Sequence, residues 1–259
     1  MSLIKAIFLG IIQGLTEFLP VSSSGHLVFL PKLFGWADQG VAFDTVVHLG
    51  TLLAVVFYFR EKLWQILKAE RKLGWLLVLS AVPALLVGFF FGDWLENTFR
   101  SAAVVGFNMI FWGIVLWLAD RYTYKLTYLQ TYTLEKLNWK QALFIGCAQV
   151  LALIPGTSRS GITITAGLFS KFNKESVVEF SFLMSVPIIA LAGADGFLNI
   201  FSQGFVESGA GNLVAGFLSA LLSGLLAIWG LLKLIKKYSF TSFVVYRVIL
   251  GILILLFLL

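Results

Sequence analysis

Charge is scarce in this chain. Asp, Glu, Lys and Arg make up 12% of its 259 residues, where soluble domains carry about a quarter. That shortage excludes an ordinary soluble domain. With 59% hydrophobic residues and a mean hydropathy of +0.93, it leaves an integral membrane protein. Cysteine is scarcer still. The single Cys147 excludes an intramolecular disulfide and is expected to be a small, buried packing residue. Short alternating apolar segments are missing too, which excludes a transmembrane β-barrel. The apolar residues instead run for roughly twenty at a time, the length of a membrane-crossing helix. Backbone in a bilayer core must find internal partners, so an all-α polytopic bundle is the expected fold. The formal net charge is +6, yet the basic residues sit in short loops between apolar runs. That is the topology signal of an inner membrane protein, with no nucleic-acid partner implied.

Six segments are long enough to span, at about 42–60, 74–92, 102–120, 176–197, 211–233 and 241–258. Two more, at 3–19 and 139–154, are shorter, and each runs into a loop of Pro, Gly and Ser followed by another short apolar piece. The first does not read as a secretory signal, because polar groups fall where an apolar run should be purest. Interrupted segments at corresponding places in two halves are the mark of re-entrant hairpins. The halves do correspond. "QGLTEFLPVSSSGHL" (13–27) set above "QVLALIPGTSRSGIT" (149–163) gives identities at Gln13/Gln149, Leu15/Leu151, Ser22/Ser158, Ser24/Ser160 and Gly25/Gly161. The order is therefore hairpin and three spans, a polar linker, then hairpin and three spans. Repeats of about 1–120 and 139–259 make a single membrane domain. An odd number of spans per half turns the second repeat upside down, an inverted-topology repeat.

Loop charge tests that arrangement. Arg60, Lys62, Lys68, Arg71, Lys72, Arg121, Lys125, Lys136, Lys140, Lys171, Lys174, Lys233, Lys236 and Lys237 fall on one side, and Lys5, Lys32 and Arg100 on the other. The majority side is cytoplasmic. Both termini then lie outside, and the two hairpin tips, entering from opposite faces, meet within the bilayer.

The tips carry the chemistry. Gln13 and Glu17 share a helix face. Pro20 ends that helix, and Gly25 is expected to permit a tight approach in the loop. Ser22, Ser23 and Ser24 are caps for the helix that follows, with His26 in its first turn. In the second tip, "PGTSRSG", Thr157, Ser158 and Ser160 are the equivalent caps, and Gly161 matches Gly25. Two helix N-termini facing each other favour an anion, phosphate above all. Arg159 strengthens that reading. A central membrane Arg costs about 2.5–3.5 kcal/mol to insert, and its planar fork matches phosphate oxygens. It occupies the place of Ser23 in the repeat, and this asymmetry suits chemistry better than symmetric passage.

"QGLTEFLPVSSSGHL" and "PGTSRSG" resemble the two signatures of the bacterial undecaprenyl-diphosphatase family, also called bacitracin-resistance proteins. The likeness continues through "FSFLMSVP" (180–187) and "YR" (246–247). It implies hydrolysis of undecaprenyl diphosphate to the monophosphate carrier, recycled for peptidoglycan synthesis. It also implies a divalent cation, magnesium or calcium, and a site opening to the outer face. The family's acidic motif, Glu or Gln followed four residues later by Glu, falls on Gln13 and Glu17, so this chain has one carboxylate fewer. Glu17 is the expected metal ligand or general base. Ser23 or His26 is the nucleophile, with Ser23 assisted by His26 preferred and direct attack by water left open. Arg159 steadies phosphate. Gln13, Ser22, Ser24, Gly25, Thr157, Ser158, Ser160 and Gly161 are the expected substrate-binding residues. A lipid transporter or flippase is the competing reading, since inverted repeats with broken helices are common in transporters.

Other features have two readings each. His48 (with Asp44 one turn earlier), Glu179 and Asn108 either line the cavity or make interhelical hydrogen bonds. Arg247 either binds lipid phosphate or snorkels. "GFFFG" (88–92) has spacing that packs helices, within the chain or in a homodimer. Trp36, Trp64, Trp75, Trp94 and Trp139 are expected as interface anchors among membrane lipids.

Overall fold

The computed structural model describes residues 1–126, 131–203 and 209–258. They form α1 (Leu3–Phe18), α2 (Ser23–Leu33), α3 (Val41–Tyr58), α4 (Arg60–Lys68), α5 (Arg71–Phe99), α6 (Ala102–Tyr124), α7 (Trp139–Val150), α8 (Arg159–Phe169), α9 (Lys174–Gln203), α10 (Ala210–Leu234) and α11 (Thr241–Leu258). An isolated bridge between Tyr132 and Phe172 is the extended pairing among the described residues. Six of the helices, α3, α5, α6, α9, α10 and α11, are long and apolar enough to cross a membrane. They coincide with the six predicted segments, so the chain is an all-helical, multi-pass membrane protein. Helix α1 has 16 residues and α7 has 12. At about 1.5 Å per residue both fall short of a core about 30 Å thick.

Helix α7 tightens after Val150 into a 3-10 turn, Leu151–Leu153, and that turn and α1 stop for the same reason. Leu19 and Ile154 precede prolines and are extended, at ψ 143° and ψ 120°, because a proline ring disfavours the α region at the residue before it. Two residues beyond each proline-led turn, or three in the second case, the chain reverses through a serine at positive φ: 72° at Ser22 and 75° at Ser158. Each of these serines then caps an 11-residue helix, its Oγ accepting from the amide of Gly25 or Gly161. Gly25 therefore lies inside α2 rather than in the loop. A Cβ there would press on Met109 Sδ at 3.1 Å.

The core is assembled at close helix crossings that lack side-chain bulk. Gly10 and Gly14 of α1 lie against α10, where a Cβ would meet the carbonyls of Gly216 at 2.5 Å and Ala220 at 2.4 Å. Gly146 of α7 lies equally close to Ser80 of α5, and Gly106 of α6 to Gly251 of α11. Helix α3 packs on α9.

Three expectations are corrected. Residues Arg60–Lys68, expected as loop, form α4, held by Lys62 on Glu70 at 2.7 Å. Cys147 is exposed rather than buried. It sits next to Gly146, which takes the face of α7 against α5, and so points outward. In "GFFFG" the three phenylalanines are exposed. A Cβ on Gly88 would meet only Leu153, at 3.7 Å, and one on Gly92 nothing within 4 Å, so this spacing packs no helix within the chain. Trp64, Trp75, Trp94 and Trp139 are exposed near helix ends, as anchors should be. Trp36 is half-buried beneath Lys5 and against Phe8.

Candidate active site

The two proline–serine turns come together, and one ion pair joins them. Arg159 Nη2 donates to Glu17 Oε1 at 2.9 Å, and both side chains are largely buried. Its Nη1 donates to the Ser181 carbonyl of α9 at 2.9 Å, which fixes the plane of the guanidinium. The other carboxylate oxygen, Glu17 Oε2, accepts from Ser23 Oγ at 2.9 Å and from Gln13 Nε2 at 2.9 Å. The predicted helix face of Gln13 and Glu17 thus holds, and the serine at the repeat position of Arg159 lies on the same carboxylate as Arg159 itself. Ser23 is half-buried and Ser24 exposed, whereas Ser22 is enclosed, so the hydroxyl touching Glu17 remains reachable.

The remaining predicted residues divide by task. Ser22 and Ser158 cap their helices, with Ser24 and Ser160 each 3.3 Å from the capping hydroxyl. Ser160 Oγ also donates to the Leu19 carbonyl at 3.0 Å, linking one turn to the other. Thr157 is buried and its hydroxyl has no partner. Gly161 leaves room for Arg247, since a Cβ there would lie 2.7 Å from Nη1.

His26 is not beside Ser23's proton acceptor. Its Nδ1 lies 2.7 Å from the Ser22 carbonyl, so Nδ1 carries the hydrogen and Nε2 accepts from the Tyr246 hydroxyl at 2.6 Å. Both ring nitrogens are engaged away from Ser23. The carboxylate in contact with Ser23 is that of Glu17.

Arg247 neither snorkels nor faces lipid. It is fully buried and donates to five main-chain carbonyls. Nε reaches Met109 at 3.0 Å, Nη1 reaches Pro20 at 3.4 Å, and Nη2 reaches Asn108 at 3.3 Å, Gly156 at 3.1 Å and Thr157 at 2.9 Å. One side chain of α11 therefore holds both turns against α6. Asn108 assists, donating to the Pro155 carbonyl at 3.1 Å. Glu179 lies instead within electrostatic range of Lys62 and Glu70. His48 borders the site, with Nε2 3.7 Å from Glu17 Oε2.

Sequence reading missed the tasks of Ser181, Tyr246 and Arg247. The conspicuous stretches "FSFLMSVP" and "YR" contain all three, but their acceptors are carbonyls or a distant ring, which no motif encodes.

No group of three His, Cys, Asp or Glu placed to hold a metal occurs among the described residues. The oxygens on offer are the Glu17 carboxylate and Gln13 Oε1, which is buried without a partner. Such a set suits a hard cation only if a phosphorylated ligand supplies the other oxygens.

A multi-pass helical membrane protein with a Glu–Ser–Arg cluster between two helix N-termini is equipped for phosphate chemistry. The chain belongs to the bacitracin resistance protein BacA family, whose model matches residues 6–253. A protein of Aliivibrio salmonicida called undecaprenyl-diphosphatase is 44% identical, with 97% of this chain and 96% of that one covered. One of Marinobacter nauticus with the same name is 43% identical, with 97% of each chain covered. The undecaprenyl-diphosphatase 1 of Pseudoalteromonas translucida is 42% identical over 100% of this chain and 99% of its own. These names favour the hydrolytic reading over transport.

Proposed function

We propose that this protein hydrolyses undecaprenyl diphosphate to undecaprenyl phosphate and inorganic phosphate, returning the lipid carrier to peptidoglycan synthesis. The observation that carries the proposal is the Ser23–Glu17–Arg159 contact, which puts a nucleophile, a base and a phosphate-steadying cation within one buried cluster.

The terminal phosphate docks at the N-termini of α2 and α8, where free amides and the positive dipole ends favour it. Arg159, oriented by the Ser181 carbonyl, steadies charge on its oxygens. Ser23 Oγ gives its proton to Glu17 Oε2 and attacks the terminal phosphorus. The bond from that phosphorus to the bridging oxygen breaks, and its electron pair leaves with undecaprenyl phosphate. Water then attacks the phosphoserine phosphorus, the P–Oγ bond breaks as Glu17 returns the proton to Ser23 Oγ, and inorganic phosphate departs carrying both hydrogens of the water. Gln13 holds the Glu17 carboxylate toward Ser23. Glu17 and Gln13 would hold a divalent cation, magnesium or calcium, which when bound neutralises diphosphate charge.

The finer architecture belongs to the same reading. Helices α1–α2 and α7–α8 are two re-entrant hairpins of an inverted repeat, in one domain with halves of about 1–120 and 139–259. The pairing of helices supports it. Helix α1 packs on α10 while its counterpart α7 packs on α5, the counterpart of α10; α3 meets its own counterpart α9, and α6 meets α11. A two-fold exchange of halves generates that pattern. Loop charge supports a place in the bacterial inner membrane, and the family resemblance supports a site that opens outward.

The test is phosphate release from undecaprenyl diphosphate by purified protein, with magnesium, with calcium and with EDTA. Cation-dependent turnover that is lost in Arg159→Ala and in Glu17→Gln is the expected result. A folded wild type that releases no phosphate overturns the proposal.

A further inference from the structure

Away from the active site, a cavity of about 210 Å³ opens at the end of α5 that loop charge assigns to the cytoplasm. Its floor is apolar, made by Leu73 and Leu76 of α5 with Leu134 and Leu137 from the short turn that leads into α7. Its rim is charged and carries both signs, Lys62 and Lys72 against Glu70 and Glu135. The apolar span of α5 begins at Arg71, so the cavity covers the first two turns of a membrane-crossing helix. Trp75, on the same two turns, is exposed, as an anchor at headgroup level should be. A leucine floor under a charged rim at that depth fits an amphiphile.

The rim narrows the choice of headgroup. Lys62 and Glu70 engage each other, with Lys62 Nζ donating to both carboxylate oxygens at 2.9 and 2.7 Å. That strut ties α4 to the start of α5 and keeps one wall of the cavity in place. Lys72 and Glu135 are exposed and make no hydrogen bond or ion pair among the described residues. One unengaged cation and one unengaged anion on the same cavity match a headgroup that carries a phosphate and an ammonium. A purely anionic headgroup would be repelled by Glu135 as much as Lys72 attracts it. A primary ammonium has three hydrogens to offer a carboxylate, and a trimethylated one has none.

We infer that this cavity is a binding site for a phospholipid with a primary-amine headgroup, of which phosphatidylethanolamine is the simplest. Its phosphate lies on Lys72 and its ammonium on Glu135, while the glycerol and the first chain methylenes cover the four leucines. So seated, the lipid ties the turn before α7 to α5. The inference is independent of the phosphatase reading.

Native mass spectrometry of the purified, delipidated full chain tests it, by titration with short-chain phosphatidylethanolamine. Phosphatidylcholine and phosphatidylglycerol of the same chain length, and the chain-free glycerophosphoethanolamine, are the comparison ligands. Wild type should bind phosphatidylethanolamine tightest of the four. Glu135→Gln should weaken that binding by up to about fivefold, the weight of one exposed ion pair, and bring it level with phosphatidylcholine. Lys72→Gln should weaken phosphatidylethanolamine and phosphatidylcholine alike. Both residues are exposed, so both variants should melt with wild type when lipid is absent. Leu134→Trp, which fills the cavity and leaves the charges in place, should also weaken binding and serves as the further variant if either of those misfolds. Phosphatidylethanolamine held equally by wild type and the folded variants would mean that it coats the apolar surface at large, and overturns the inference. A preference for phosphatidylglycerol, glycerophosphoethanolamine bound as tightly as the lipid, or no binding of phosphatidylethanolamine overturns it as well.

Discussion

At the scale of the residue, the site is organised by two arginines with opposite duties. Arg159 pairs with Glu17 beside the Ser23 hydroxyl, and Arg247 spends its hydrogens on carbonyls. Removing Arg159 should therefore cost chemistry. An arginine acting on a transferring phosphoryl group is worth about 10³–10⁵ in rate, and Arg159→Ala is expected to lose turnover within that range in a folded protein, measured as phosphate release. Ser23→Ala should lose comparable activity, since Ser23 carries the one hydroxyl that donates to Glu17 among the described residues. Arg247→Leu should instead cost structure. Five carbonyls lose a charged donor, and each such bond is worth about 1.5–3 kcal/mol, so a large fall in thermal stability in detergent is expected. Arg247→Lys should recover little, because an ammonium cannot reach acceptors spread around a planar fork.

At the scale of the element, the legible parts were those written in local chemistry. Six spans showed in hydropathy, and the two interrupted helices showed in prolines, serines and the repeated Gln–Leu–Ser–Ser–Gly pattern. Ser22 and Ser158 cap as their type predicts. The parts that were not legible depend on which way a helix is turned. Helix α7 is apolar around most of its surface because lipid lies outside and protein inside, so hydropathy could not say that Gly146 packs and Cys147 does not. The same ambiguity made "GFFFG" look like a packing motif, while the contacts fell to Gly10, Gly14, Gly106 and Gly146. Charge misled once, where Arg60, Glu61, Lys62 and Lys68 suggested loop and formed α4. The residue types allow either His26 or Glu17 to assist Ser23, and only the turn of α2 shows that the His26 ring goes to Tyr246. A bulky residue at a close crossing should be costly. Gly14→Leu, against a carbonyl at 2.4 Å, is expected to destabilise by about 1–3 kcal/mol or prevent folding. Gly92→Ala, with nothing within 4 Å, should leave the melting temperature unchanged.

At the scale of the whole molecule, the proposed inverted repeat makes a prediction about sidedness. In a Cys147→Ser background, single cysteines at Lys32 and Arg100 should react with a membrane-impermeant reagent from outside intact cells. Cysteines at Lys68, Lys171 and Lys237 should react only after the cells are opened. A second hairpin that crossed the bilayer completely would put Lys171 and Lys237 in the opposite compartment from Lys68. The reciprocal pairing of α1 with α10 and of α7 with α5 also bears on how the protein is made. Helix α1 leaves the ribosome well before the surface that receives it, on α10, which is translated some two hundred residues later. The guanidinium that fastens both turns comes later still, on α11. A nascent chain thus carries Gln13, Glu17 and Ser23 long before the helices that hold them in place are made, and the two turns are fastened only once α11 has joined α6.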